Sequence, residues 1–218
     1  MTNITQKVWN FIEKDPSIKN CLSREIVNMM ALSNYIRERI GFDATGSSII
    51  SAIRRYPIEK VIRSVAEISD VLRAAKISTK TRISVITIKR DFKLLSNALP
   101  LIMKTIDPSS GEMLRLVEGR ESVKVLIDQE KSQEVITIVG NDNVFDVRDG
   151  QAELNINLGD KNKNSVKGVR ATLLNELAIN NISVGETFSC LPEFIIYVNE
   201  KDVAKAHQVL IKFCYSES

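Results

Sequence analysis

The spacing of apolar residues changes near residue 80, and this change constrains the fold more than any other feature of the sequence. Up to about residue 75, apolar residues recur every three or four positions, as along one face of an α-helix. From residue 80 onward they alternate with polar residues or form β-branched runs, which is typical of strands. The chain of 218 residues therefore predicts an all-helical block, 1–76, followed by a mixed block of strands and helices. We place the boundary at residues 76–80.

Four helices are predicted in the helical block, and apolar stripes at helical spacing mark the two longest. Their residues are Ile26, Met29, Leu32, Ile36 and Ile40 in the first, and Ile58, Val61, Val65, Ile68 and Leu72 in the second. Ser23 is the expected N-cap of the first stripe, and Gly41 its C-terminal stop. Val8–Lys14 forms another helix. Ser47–Tyr56 forms a short one that ends before Pro57, because the helical conformation is disfavoured before proline.

The mixed block is expected to alternate strands with helices. Its predicted strands are Ile83–Ile88, Met113–Val117, Val123–Ile127, Val135–Val139, 153–158, 182–189 and 193–198, and its predicted helices are 95–106, 168–180 and 201–213. Pro100 should kink the first of these helices. Phe194–Val198 is apolar on both faces, so we expect an interior strand with helices on one side and a second sheet or subunit on the other.

Two segments of the mixed block resemble a known family. Val166–Val184, with Gly168-Val169 opening a helix and Asn181-Ile182 entering a strand, resembles the first helix of an ACT domain, particularly at the regulatory end of aspartokinases. Glu193–Ala206 is similar to the third strand and second helix of that family, and residues 81–139 resemble a more divergent copy. The resemblance implies an α+β fold in which two tandem ferredoxin-like βαββαβ units, 77–142 and 143–218, follow the helical domain.

The chain departs from the ACT pattern in three places. Lys167 replaces the proline of the family, and Arg90-Asp91-Phe92 opens the helix of the first copy where the family has glycine. After the final helix too few residues remain for a fourth strand. We therefore expect Val135–Val139 to complete a sheet that lacks an edge in the other copy, so that the two copies interlock and no interior edge stays open.

The ACT resemblance implies that the protein senses a small molecule, commonly an amino acid, held between paired ACT domains. Helix N-termini and loop amides bind carboxylates, and glycine allows close approach of the backbone. The residues at the corresponding positions are Asn155, Asn157, Lys167, Gly168, Val169, Asn181, Ile182 and Ser183. The alternatives are that Gly168 only makes a turn beside solvent-facing asparagines, or that the fold has lost its ligand.

The two halves of the chain differ in charge. Residues 1–90 carry 16 Lys and Arg against 8 Asp and Glu, whereas residues 91–218 carry 14 against 19. Ala31–Gly41 and Ser47–Arg55 resemble a helix-turn-helix, which would place the second helix in the major groove of DNA. The candidate DNA contacts are Arg37, Arg39, Ser47, Ser48, Ser51, Arg54 and Arg55. A helical dimerisation or docking domain with a solvated basic face is the alternative.

Other sites are not expected. Cys21, Cys190 and Cys214 are odd in number and widely spaced, which argues against disulfides or structural zinc and for a reducing compartment. His207 has no motif-placed nucleophile, and no glycine loop for phosphate occurs, so we predict neither catalysis nor a metal or cofactor site. No apolar segment reaches the roughly 18–20 residues of a bilayer span, and no signal-peptide core is present, so we expect a cytoplasmic protein without membrane contact.

Two functions remain open from the sequence. The first is an amino-acid-responsive transcriptional regulator, in which a basic helical domain binds duplex DNA and the ACT region dimerises and binds the effector. A homodimer or higher homo-oligomer would supply two recognition helices for a two-fold site. The second is a regulatory subunit that controls an enzyme of amino-acid metabolism in trans, with the helical domain as its docking surface.

Overall fold

The computed structural model describes residues 4–41, 44–159 and 166–215, and only the backbone of residues 60–64. The chain divides into two compact units, Met1–Asp70 and Val71–Ser218, which we call the helical unit and the mixed unit. Residues 76–80, which we expected to separate the two blocks, open the first strand of the mixed unit instead. No described helix is long and apolar enough to cross a bilayer.

The helical unit contains more helices than the sequence predicted. Its helices are α1 (Ile4–Lys14), α2 (Pro16–Ser23), α3 (Met29–Ile40), α4 (Gly46–Arg54) and α5 (Glu59–Arg73), the last of which crosses the boundary between the units. Buried apolar side chains of α1, α3 and α4 form one core, to which Leu22 of α2 contributes. The indole N–H of Trp9 donates to the carbonyl of Ala52 at 2.9 Å, which fixes α1 against α4.

Helix α2 was missed in the sequence because its stripe is short, although its start carries a clear signal. The Asp15 carboxylate accepts the backbone N–H groups of Ser17 and Ile18, and Pro16 occupies the first helical position. Ser23 therefore ends α2 and is not the N-cap that we expected, since Asn28 caps α3 instead. Gly41 is confirmed as the stop of α3, in the left-handed conformation with φ of 59°.

The mixed unit is built on one antiparallel sheet of six strands. Its elements are β1 (Lys76–Lys89), α6 (Phe92–Lys104), β2 (Leu114–Glu118), β3 (Ser122–Asp128), α7 (Ser132–Val139), β4 (Val144–Asn157), α8 (Val169–Ile179), β5 (Val184–Cys190), β6 (Glu193–Asn199) and α9 (Val203–Tyr215). The strand order is β2-β3-β1-β4-β6-β5. The chain thus runs twice through strand, helix, two strands and helix, with β1 and β4, the first strand of each pass, side by side.

The prediction of a strand at Val135–Val139 is wrong, because these residues lie in helix α7. The run is β-branched, which favours a strand locally. However, Ser132, Val135 and Val139 are spaced for one helical face, and burial of that face against the sheet outweighs the local preference. The edge of the second half of the sheet, which we had assigned to Val135–Val139, is formed instead by the early part of β1, 76–80, which pairs only with β4.

Strands β1 and β4 are shared between the two halves of the sheet. The later part of β1, 83–89, pairs with β3, while its early part, 76–80, pairs only with β4. The later part of β4, 151–157, pairs with β6. Both strands change register at the same place, where Arg82 and Gly150 have positive φ angles of 57° and 62°. At this bend each strand passes from one half of the sheet to the other.

The two halves of the sheet fold over and face each other. Leu126 of β3 and Ile195 of β6 belong to one buried cluster, although β1 and β4 lie between these strands in the sheet. Side chains three strands apart can meet only where the sheet turns back on itself. Helices α6 and α7 cover the outer side of the first half, and the inner sides pack together. The prediction that Phe194–Val198 is covered on both faces is confirmed, and a second layer of sheet provides the cover.

Candidate effector site and basic surface

The expected effector site lies at the start of α8. Gly168 precedes this helix with φ of 93° in the left-handed region and offers no side chain to cap it. Lys167 is exposed beside it, whereas the side chain of Val169 is buried in the core. The first backbone N–H groups of α8 therefore have no capping side chain at Gly168, which is the arrangement that accommodates an anion at a helix N-terminus.

Asn155 and Asn157 lie near the end of β4, the strand that precedes α8 in the chain. Asn155 pairs with Ile195 of β6 and Asn157 with Glu193, and both asparagines are half-buried. The side-chain oxygen of Asn157 accepts the N–H of Gly159 at 2.9 Å and so shapes the exit from the strand. Residues 160–165, which connect this exit to α8, lie outside the described residues.

The structure does not bring Asn181, Ile182 and Ser183 to this end. They follow the C-terminus of α8 and precede β5, whose first residue Val184 pairs with Val198. Asn157 pairs with Glu193, five residues earlier on β6, so the two groups are separated by roughly 17 Å along the strands. Asn181 and Ser183 are exposed there, and Ile182 is buried.

The corresponding helix of the first half, α6, begins differently. The Asp91 carboxylate accepts the N–H of Leu94 at 3.0 Å and caps the helix. This backbone hydrogen bond lowers the pKa of Asp91, with smaller contributions from Lys93 and Lys89. A carboxylate of the chain itself thus caps the start of α6, whereas Gly168 offers no carboxylate at the start of α8. An N-cap aspartate is readable from sequence, although we took Arg90-Asp91-Phe92 only as a missing glycine.

A buried polar cluster, which the sequence reasoning missed, joins the two facing halves of the sheet. Arg115 of β2 donates to both carboxylate oxygens of Glu153 in β4, at 2.8 and 2.9 Å, and to the hydroxyl of Tyr197 in β6 at 3.1 Å. Tyr197 also donates to Glu153. Burial raises the pKa of Tyr197, and the charge of Glu153 raises it further. The signal available in the sequence was Glu153, a charged residue between buried Ala152 and Leu154.

A second ion-pair cluster spans the same interface. Glu186 of β5 accepts hydrogen bonds from Lys124 of β3 and from Arg148 of β4. Burial acts to raise the pKa of Glu186, but these two cations outweigh it and hold the pKa below its ordinary value of 4.5. Among the described residues, no group of three or more His, Cys, Asp and Glu side chains is arranged to hold a metal ion.

Helices α3 and α4 present the candidate DNA contacts on the surface of the helical unit. Ile49, Ala52 and Ile53 bury one face of α4. The opposite face exposes Ser47, Ser51 and Arg54, and α3 exposes Arg37 and Arg39. Arg55, the C-cap that follows α4, is exposed as well. Ser48 is half-buried, and its hydroxyl donates to the carbonyl of Thr45 at 2.8 Å, so it helps to form the helix start. Six of the seven predicted residues are therefore exposed, five of them on these two helices and Arg55 directly after α4.

Three of the exposed arginines also have partners within the chain. The Arg39 guanidinium lies 3.6 Å from the centre of the Tyr35 ring, a cation–π contact that orients it. Arg37 donates to the side-chain oxygen of Asn34 at 3.4 Å. Arg55 donates to Thr5 and to the carbonyl of Ser51, each at 3.2 Å.

Comparison with known structures identifies the fold of the mixed unit. No protein-family model and no curated protein matches the sequence. The regulatory subunit of aspartate kinase from Thermus flavus superposes with a TM-score of 0.51 and 10% identity, over 62% of this chain and 95% of that chain. The structure of aspartokinase alpha and beta subunits gives a TM-score of 0.51 and 14% identity, over 64% of this chain and 92% of that chain. The mixed unit has the ACT fold.

The aspartate kinase of Clostridium acetobutylicum gives a TM-score of 0.53 at 17% identity. The match covers 65% of this chain but only 34% of the kinase, so the chain spans about a third of that enzyme. At these identities the likeness is one of fold. It concerns the mixed unit, which we now call the ACT region, and does not bear on the helical unit.

Proposed function

We propose that this chain is a non-catalytic regulatory protein whose ACT region binds an amino acid at the start of α8. The observation that carries the proposal is the contrast between the two helix starts. Asp91 caps α6 with a carboxylate of the chain, whereas Gly168 leaves α8 without one. The α-carboxylate of an amino acid would take at α8 the place that Asp91 takes at α6. The fold shared with aspartokinase regulatory subunits supports this proposal.

The polar residues around α8 suit a zwitterion. Lys167 adds a positive charge beside the proposed carboxylate position, and the amide oxygens of Asn155 and Asn157 can accept from an ammonium group. Asn181, Ile182 and Ser183 join the site only if a second copy of the chain brings its opposite end to α8. We further infer that the two halves of the sheet are ferredoxin-like ACT units that meet near residue 143 and exchange strands β1 and β4.

A thermal-shift panel of the common amino acids tests the effector site. A ligand at about 100 times its dissociation constant adds roughly 2.7 kcal/mol, which raises the melting temperature of a chain of this size by several degrees. Gly168→Val should abolish the shift. Gly111→Val is the control, because Gly111 likewise has a positive φ, 80°, but lies in the first half, where its surroundings leave space for a side chain. If no amino acid stabilises the protein, the proposed effector site is wrong.

For the helical unit we propose duplex DNA as the target, with regulation of an enzyme in trans as the second candidate. The exposed basic face of α4, opposite its buried apolar face, favours DNA. Two such helices in a dimer would read a two-fold site. If the effector favours one arrangement of the dimer, then DNA and effector must change each other's affinity by the same factor.

A salt series on duplex DNA separates the two candidates. Binding through several Arg and Lys contacts should weaken steeply as salt rises, and Arg54→Ala with Arg55→Ala should weaken it further. Lys14→Ala with Arg24→Ala is the control, because it removes two exposed positive charges of the same unit that lie outside α3 and α4. Binding that is absent at low salt, or that both pairs reduce equally, would favour the docking function.

A further inference from the structure

The sheet of the ACT region leaves four strand edges without a neighbour among the described strands. They are the early part of β1 (76–80), the outer sides of β2 and β5, and the early part of β4 (144–150). An open edge presents unpaired backbone N–H and C=O groups to any other strand. Folded proteins protect such edges with lysines, inward-pointing charges, bulges or short strands.

Three of these edges carry such protection. The early part of β1 has Lys76 and Lys80, which would face each other as like charges if two copies paired antiparallel about Ser78. Strand β2 has five residues, and its Arg115 turns inward to Glu153. Strand β5 has a change of register between Val184 and Glu186.

The early part of β4 also has a register shift and the inward-pointing Arg148, but it exposes apolar side chains. It exposes 61% of Phe145 and 37% of Val147. Asp146 and Arg148 flank Val147, and all three residues pair with β1 without a change of register. This regular stretch lies between the change of register before Asp146 and the bend at Gly150. In an antiparallel pair of two copies centred on Val147, each Asp146 would lie opposite the partner's Arg148. This edge is therefore complementary to itself in charge, whereas the early part of β1 would set lysine opposite lysine, with Lys80 already paired to Asp128 at 2.7 Å.

We propose that a second copy of the chain pairs with β4 along this edge, about a two-fold axis at Val147. The two Val147 side chains then lie opposite each other, with Phe145 in reach of the partner's Val147 on the diagonal. In the single chain Arg148 Nε lies 3.2 Å from Asp146 Oδ2, and Arg148 Nη2 donates to Glu186. A guanidinium has five donors, so Arg148 can keep Glu186 and still bind the partner's Asp146.

Light scattering on the full-length protein, with two charge reversals, tests the interface. The wild type should have twice the chain mass of 24.5 kDa. Asp146→Arg alone and Arg148→Asp alone should each halve that mass, because each sets like charges opposite one another. An equimolar mixture of the two variants should restore the doubled mass, because both cross-strand pairs are then of opposite charge. Lys76→Glu, on the other open edge of the shared strands, is the control and should change nothing.

Arg148→Asp also removes a contact to Glu186, so circular dichroism must show that the variant is folded. If it is not, Val147→Lys serves in its place, because it sets two ammonium groups face to face at the axis and leaves Glu186 untouched. A monomeric wild type, a variant that stays dimeric, or a mixture that stays monomeric would each overturn the proposal. None of these readouts depends on the effector or on DNA, so the interface and the proposed function can fail separately.

Discussion

At the scale of single residues, the two halves of the ACT region differ at their helix starts, where Asp91 caps α6 and Gly168 precedes α8. Gly168 became a candidate site residue through the ACT resemblance, and the structure gives it a φ of 93°, which glycine tolerates better than other residues. Arg115, Glu153 and Tyr197 were not readable as a cluster. They come from three strands that lie side by side or face to face only after the sheet has folded over. Long-range polar clusters of this kind depend on topology, which local spacing does not encode.

The ion pair of Arg115 and Glu153 should contribute much more to the free energy of unfolding than the exposed pair of Arg82 and Glu130. Arg115→Met should lower the free energy of unfolding by about 3 kcal/mol, because it leaves the Glu153 carboxylate, only 6% exposed, without its cation. Arg82→Met should cost at most about 1 kcal/mol, because its pair with Glu130 is largely in water, with both side chains 65–70% exposed. Urea titrations of both variants measure the difference, and equal losses would contradict the role given to the buried pair.

The Glu186 cluster predicts a dependence on pH. The pKa of Glu186 is lowered in the folded chain, so its contribution to stability is present above about pH 4.5 and is lost as the pH falls through the folded value. Glu186→Gln should therefore destabilise the protein at pH 7 and make its stability fall less between pH 7 and acid. Glu118→Gln, at an exposed pair with Arg90, is the comparison and should have a small effect at either pH. Denaturant titrations at both pH values provide the test.

At the scale of helices and strands, most elements followed from periodicity, and the errors have physical causes. Helix α7 was taken for a strand because its residues are β-branched and only burial against the sheet selects the helix. Helix α2 was missed because eight residues give too short a stripe, while its Asp15-Pro16 start was the better signal. Caps and prolines therefore identify short helices more reliably than apolar spacing does.

The start of α2 predicts a measurable loss. Asp15→Ala should lower the free energy of unfolding by about 1 kcal/mol, because the N–H groups of Ser17 and Ile18 lose their acceptor. Asp15→Asn should retain most of the stability, since an amide oxygen also caps helices well. Thermal unfolding followed by circular dichroism compares the two variants, and equal losses would contradict the capping role.

At the scale of the whole molecule, the sheet is closed by other strand segments than the one that we predicted. We had sought the missing edge within the first copy, at 135–139, because each copy was treated as complete apart from one strand. The structure instead runs β1 and β4 through the bend at Arg82 and Gly150, so that each serves both halves. The signal was that β1 and β4 are each 14 residues long, with a break in the apolar pattern. We had predicted only 83–88 and 153–158 as strands.

Because β1 and β4 pair with each other along both halves of the sheet, the ACT region cannot be cut between its repeats without separating paired strands. A gene fragment that ended near residue 143 would encode β1 without β4, and the remaining fragment would encode β4 without β1. Each product would leave one side of its first strand unpaired, where the first strand of the other product pairs in the whole chain. Loss of one repeat would therefore leave the other repeat with an unpaired strand edge, which favours aggregation.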